Sequence, residues 1–547
     1  MIPRMFRHRN LFYGTSTVPS KETRRGNKNI VTEKLVAVFD KCQISDRDAV
    51  HLLMATAEAL GVKADDLVIN RTSIQRCRQD VREERAGMIK ERFKNTNLQH
   101  VVVHWDGKLL PDITGKKMTE RLPIIISSGD VEQILHVPEL PDSTGREQAK
   151  AVFQALINWD LTDATVALCC DTTASNLGRL KGAAVIIEQL EKDLLYLPCR
   201  HHIFELLLRA AFDEKMPAST GPKVMLFQNF QKAWEKLNKS NVKPFDQKGN
   251  LFKEDSARIL AFCEEQLKLK QPRDDYKEFL ELVILFLGGK VKNSSLKAPG
   301  AVHHARWMAK AIYCLKIFLL RYEFVLEKNE VTALQEICIF IVFLYVVPWF
   351  KAPSGVKAPA GDLSLLRKMN LFKKIDPNIA SAVLKKFKNH LWYLSVENLG
   401  FAFFDDELPD TLKIKMVKAL ERPTEEDDES KKFEFNLNDM NQLLKHDLDY
   451  FITNKTKKFF SRFGLNTAFL KLPPSMWQED ESYMFSKNIV QKIKTVNDTA
   501  ERGVKLIQEY NSVLTKNEDQ RQFALQIVSE YRKRFPQAKK AALMEKL

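Results

Sequence analysis

Two aspartates each close an apolar run: Asp106 ends "VVVHWD" and Asp171 follows "VALCC". Short runs rich in Val and Leu read as buried strands, so each acid stands at a strand tip. A lone strand-end Asp is ordinarily a turn residue that bonds its own backbone. Two of them on neighbouring strands are another matter. Carboxylates brought together repel unless a cation sits between them, and hard divalent cations prefer carboxylate oxygen. Strands that lie side by side would therefore turn Asp106 and Asp171 into a divalent-metal site.

A third stretch, "LYLPCRHHIFEL", places Cys199, Arg200, His201 and His202 directly after an apolar run. A zinc site wants four thiolate or imidazole donors. His303 and His304 are the nearest further imidazoles in type, and the eight cysteines show no repeated pair spacing, so zinc is not expected. The other reading buries Cys199 at a strand end and lets His202 bond backbone or a catalytic-side group, fixing the point where the chain leaves a core.

The elements that must position these residues follow from periodicity. "QHVVVHWDGKLL", "LPIIISS" and "VEQILHV" alternate or run apolar and are predicted strands. "GREQAKAVFQALINWDL" has helical spacing, "ATVALCCDT" is a fourth strand, "ASNLGRLKGAAVIIEQLEKD" a helix and "LLYLPC" a fifth strand. The order β-β-β-α-β-α-β implies a mixed sheet with helices on both faces. From about Phe204 to Lys388 only helical periods recur. The expected class is α/β plus all-α, a mixed five-stranded sheet interrupted by a large helical insertion and flanked by helical segments.

The strand order, "HWD" on the first strand, "CDTTASNLG" on the fourth, a [C/D]xxH pattern at Cys199 to His202 and a long helical stretch thereafter together resemble the RNase H-like core of the hAT superfamily of cut-and-paste DNA transposases. The resemblance covers roughly residues 98–420. It implies a third acid on the first helix after the insertion, for which "SVENLGFAFFDDELP" offers Glu397, with Asp405, Asp406 and Glu407 as alternatives; Glu205 lies before the insertion and fits less well. It further implies two Mg²⁺ or Mn²⁺ ions about 4 Å apart, held by Asp106, Asp171 and Glu397, that activate the attacking oxygen and stabilise the leaving one. In such transposases an aromatic residue of the insertion can stack on an extruded base; Trp307 beside Arg306 is the candidate here, against the plainer reading of a core tryptophan. Two departures stand out. Residues 1–98 hold only Cys42 and Cys77, too few for an N-terminal zinc finger, and "QFALQIVSEYRKRF" lacks the family's dimerisation signature. A host-retained, catalytically silent DNA-binding or scaffold protein is therefore the alternative.

Charge supports a polyanionic partner. The chain of 547 residues carries a net +15, and residues 1–98 hold 19 Lys and Arg against 12 Asp and Glu. Within "RTSIQRCRQDVREERAGMIKERF", Arg71, Arg76, Arg78 and Arg82 are candidate DNA contacts of a helix-turn-helix-like element, the plain alternative being a solvated amphipathic helix. The expected partner is DNA, with a homo-oligomer left open, and the substrate implies the nucleus. The start "MIPRMFRHRN" lacks the apolar segment of a secretory signal. The longest apolar run, Ile337 to Phe350, contains Pro348 and falls short of the roughly 20 residues of a membrane helix. The expected organisation is a basic tail (1–30), a helical DNA-binding region (31–97), the core (98–203), the insertion (204–389), a return helix carrying the third acid (390–420), a charged linker (421–432) and a helical C-terminal region (433–547).

Overall fold

The computed structural model describes residues 29–497, apart from 42–43, 64–65, 95, 97, 112–117, 179–180, 191–192, 217–223, 247–252, 292–295, 301–307 and 424–430. Two compact units separate, one built on the chain up to Phe93 and one on Lys94–Pro111 with Lys117–Lys505.

In the first unit, helices α1 (Glu33–Lys41), α2 (Asp46–Ala59) and α3 (Arg71–Lys94) close over Val36, Phe39, Ala49, Leu53 and Ile74. Ser45 caps α2, accepting the Asp48 N–H at 3.0 Å, and Gly61 ends it at φ 71°. Arg71 and Arg76 are exposed on α3, and Arg82 lies on the same helix. Arg78 departs from expectation: it is 1% exposed, pairs with Asp46, donates to the Ile44 carbonyl at 2.6 Å and lies 5.5 Å from the Phe39 ring. Its charge is used inside the unit, not on a DNA-facing surface.

The second unit is mixed α/β. Its strands are β1 (Val101–Trp105), β2 (Lys108–Pro111), β3 (Met118–Arg121), β4 (Ile124–Ser128), β5 (Val131–His136), β6 (Glu139–Leu140), β7 (Thr165–Cys169) and β8 (Leu195–Tyr196). Five of them form one mixed sheet in the order β5-β4-β1-β7-β8, with β1 antiparallel to β4 and parallel to β7. The β4–β5 hairpin turns through Gly129 at φ 58°, the positive angle a two-residue turn needs. The run read as one first strand is two: the chain breaks after Trp105, and β2 leaves to build a separate sheet, β2-β3-β6. Helices α4 (Gly145–Asn158), α5 (Ala174–Leu177) and α6 (Ala183–Leu190) supply the crossovers to β7 and β8. One sheet face, carrying Val102, Ala167, Cys169, Leu195 and Leu197, joins a continuous core with Ile203, Phe204 and Leu207 of α7 (Arg200–Lys215).

From α7 the chain is helical. The apolar run is longer than its sequence suggests, a 24-residue helix from Lys328 to Lys351 in which an 18-residue stretch has a mean hydropathy of 2.1, long and apolar enough by composition to cross a membrane. Here Ile337, Phe340, Ile341, Val342 and Trp349 are buried in the common core. Pro348 does not end it, because a π-helical turn at Ile341–Tyr345 absorbs the missing N–H and the ring clash one turn earlier. Residues 390–420 pass beside β8, where Asn398 donates to the Tyr196 carbonyl at 2.9 Å and Tyr393 to the Pro198 carbonyl at 2.8 Å. They form the 3₁₀ stretches Trp392–Leu394 and Asn398–Phe404 and the helix Asp410–Ala419, all within the helical core. The chain comes back beside the end of β1 after helix Glu481–Val490, at Lys494–Asn497.

Candidate active site

The site begins with register. β1 pairs with β7 as Val102–Ala167, Val103–Leu168 and His104–Cys169, a constant offset of 65 positions. Continued two residues past the last pair, that offset sets Asp106 opposite Asp171, on adjacent parallel strands about 4.8 Å apart. Both acids are nearly buried, at 3% and 8% exposure. Cys170 precedes Asp171, and its thiol is pushed well up by burial, reinforced by Asp171, Cys199 and Asp106.

Asp171 is held by its own loop. Its Oδ1 accepts the Thr173 N–H at 3.0 Å, the Thr173 hydroxyl at 2.7 Å and the Asn176 amide at 2.6 Å. Asn176 is itself aimed by β1, since the Trp105 indole N–H donates to its Oδ1 at 2.8 Å. Burial would raise the Asp171 carboxyl. The charge of His202 and the bonds from Thr173 and Asn176 outweigh it and hold the group below the usual range. All three bonds fall on one oxygen, which leaves Oδ2 as the oxygen suited to a cation. The loop stays tight because backbone meets backbone: a side chain at Gly145 would stand 2.2 Å from the Lys181 carbonyl.

Asp106 is framed by the returning chain. Asn497 Nδ2 donates to the Trp105 carbonyl at 3.0 Å, its Oδ1 meets His104 Nδ1 at 3.2 Å, and its backbone N–H reaches Cys199 Sγ at 3.3 Å. His104 also meets Ser127 Oγ at 2.8 Å through Nε2, and burial pushes its imidazole down to about 4, so it is neutral at pH 7. Cys199 extends the sheet by donating its N–H to the Cys170 carbonyl at 2.7 Å. Arg200 opens α7 with its N–H bonded to the Thr495 carbonyl at 2.9 Å, and its guanidinium is buried against Asp362. His202, on the same first turn, faces Asp171.

His201, in the middle of the motif, belongs to the core. It stacks on Trp349 with centroids 3.8 Å apart, and its Nε2 donates to the Trp349 carbonyl at 3.1 Å. Pro353 stands four residues on and has no N–H to offer that carbonyl.

Glu397 does not join the pair. Arg462 grips both its oxygens, at 2.6 and 3.1 Å, and also binds Asp193 at 2.5 Å, just ahead of β8. The neighbouring Phe463 carbonyl accepts from His100 Nε2 at 2.6 Å, just ahead of β1. Glu397 is thus tied to the end where β1 and β8 begin, while Asp106 and Asp171 lie where β1 and β7 finish. A five-residue strand separates the two ends by about 16 Å. The alternatives are also engaged elsewhere: Asp406 with Lys487 at 2.7 Å, Glu407 with Lys357 and Lys351, and Asp405 with the Glu407 N–H at 2.9 Å. Glu205 is half-buried on α7, accepting from Tyr345 Oη at 2.6 Å and Met308 N at 2.7 Å. Arg306 and Trp307 lie outside the described residues.

The described residues therefore bring together two acids, Asp106 and Asp171, with Cys199 and His202 at their side. Among those residues no group of three His, Cys, Asp or Glu side chains is arranged to hold a metal ion. The residues that sequence reasoning missed are Asn176, legible in hindsight from its spacing after "DTT", and Asn497, whose partners stand 393 and 392 positions away. No family model matches the chain, and no curated protein is significantly similar to it.

Proposed function

We propose that the chain is a transposon-derived DNA transposase or nuclease with an RNase H-like core, related in plan to the hAT transposases, that cuts and joins phosphodiesters. The observation that carries this reading is the juxtaposition of Asp106 and Asp171 at the finishing ends of two parallel strands inside a five-stranded mixed sheet. The helical block leaving at Cys199 and returning at Asn497 supports it.

The donor set suits a hard divalent ion: two carboxylates, one with a single oxygen saturated by N–H and O–H donors. Mg²⁺ or Mn²⁺ held by Asp106 and Asp171 would supply Lewis-acid stabilisation of the transferring phosphoryl group. The protein's own part is positional. Trp105, Asn176 and Thr173 fix the Asp171 carboxylate, His202 holds it ionised, and Asn497 ties the returning chain beside Asp106.

Nicking of supercoiled plasmid DNA in Mg²⁺ or Mn²⁺ tests the proposal. Asp106→Asn and Asp171→Asn are expected to lose at least about 100-fold, since removing even an outer-shell partner of a metal site costs 10–100-fold. Nicking left unchanged by Asp106→Asn overturns the enzyme reading. Salt-sensitive DNA binding without any nicking would instead favour a catalytically silent descendant.

A further inference from the structure

A second cluster adjoins His202, which acts electrostatically on both Asp171 and His390. His390 ends the 3₁₀ turn that continues helix Pro377–Phe387, and Trp392 opens the next. This segment is fastened beside the motif: Tyr393 Oη donates to the Pro198 carbonyl at 2.8 Å, and Phe433 N donates to the Leu391 carbonyl at 3.1 Å.

Two ring nitrogens in it, His390 Nδ1 and Trp392 Nε1, are buried without a hydrogen-bond partner. Buried polar groups are almost always paired, and an indole N–H can only donate. Cations stand around them. Lys432 Nζ lies 5.9 Å from the centre of the Trp392 ring and also pairs with the exposed Glu434 at 3.1 Å. Lys386, exposed, makes no ion pair among the described residues. Burial first, then His202, Lys386 and Lys432, push the His390 imidazole down to about 4, so it is a neutral group that can present one N–H. Neutral N–H donors set among ammonium groups are complementary to a tetrahedral oxyanion.

We infer that His390 and Trp392, with Lys386 and Lys432, form a phosphate-binding rim that seats the backbone of a DNA strand on the His202 side of Asp171. The inference rests on the proposed function for its choice of DNA as the source of the phosphate. It puts the strand on the catalytic unit itself.

The test is binding of a fluorescent duplex to the full chain in EDTA, where nothing is cut. Lys386→Gln with Lys432→Gln is expected to reduce the slope of log K against log salt by about 2, near 0.9 for each phosphate no longer neutralised. Trp392→Phe, which keeps the ring and removes the N–H, is expected to weaken binding about tenfold with the slope unchanged. An unchanged slope in the double lysine variant overturns the rim, and that variant carries the test if Trp392→Phe does not fold. Titration with inorganic phosphate separates the sources: saturable binding in the micromolar range, lost in Trp392→Phe, would make the rim a free-anion site and overturn the DNA assignment. Nicking unaffected by Asp106→Asn defeats the enzyme reading, whereas an unchanged salt slope in the double lysine variant defeats the rim, so the two failures are distinguishable.

Discussion

Glu397→Gln separates architecture from chemistry. Glu397 is 17% exposed, and its partner Arg462, at 7%, is held by two bonds of 2.6 and 3.1 Å. Stranding a buried charge costs about 3–5 kcal/mol. Arg462 is not wholly stranded in this variant, because Asp193 remains at 2.5 Å and the Gln oxygen still accepts. Asp193 is itself 57% exposed and compensates weakly. The expected loss is therefore about 1–2 kcal/mol, read as a lower urea midpoint by tryptophan fluorescence. Nicking measured well below that transition should stay within about threefold of the parent, because both Glu397 oxygens are engaged by Arg462, which also binds Asp193 ahead of β8. Loss of nicking as deep as in Asp106→Asn, with the fold intact, would refute the assignment of Glu397 to the far end of the sheet.

Acid should act through His104. Its folded value near 4 lies below the ordinary 6.5, so between those values the unfolded chain takes up a proton that the folded one refuses. Stability should fall as pH drops from 6.5 to 4, by about 3 kcal/mol at full effect, and His104→Gln should flatten that part of the urea-midpoint profile. Asn497→Ala removes bonds to both His104 and the Trp105 carbonyl and is expected to cost about 2–4 kcal/mol, with faster amide exchange in β1. Exchange rates in β1 equal to those of the parent would dismiss the clamp. Arg78→Met should destabilise the three-helix unit while leaving the salt slope of DNA binding unchanged, whereas Arg71→Gln and Arg76→Gln should lower that slope if α3 touches phosphate.

What the sequence made legible was local. Apolar runs around "VVVHW" and "VALCC" announced their strands because buried strands need little else, and the acids at their tips came with them. Ser45 and Gly61 bounded α2 for the same reason, cap chemistry being short-range. The surroundings of Glu397 were not legible, because its partner Arg462 stands 65 positions on and no local spacing rule reaches that far. "SVENLGF" carries a plausible cap, yet Asn398 donates to the Tyr196 carbonyl and Glu397 turns to Arg462, partners set by tertiary packing. Arg78 misled because a basic helix face looks alike whether an arginine points to solvent or to a buried Asp46. Pro348 misled because a π turn can host a proline that an unbroken α-helix cannot.

The bond from Arg200 N to the Thr495 carbonyl has a consequence for how the protein is made. Positions 200 and 495 flank the helical block, so β1, β7 and β8 emerge from the ribosome long before the residues that frame Asp106. At about 5–20 residues per second, some 15–60 seconds pass between the two. For that interval the nascent chain has its strands but not Asn497, and the bonds that Asn497 makes to His104, Trp105 and Cys199 must wait until the helical block has been synthesised and has folded back.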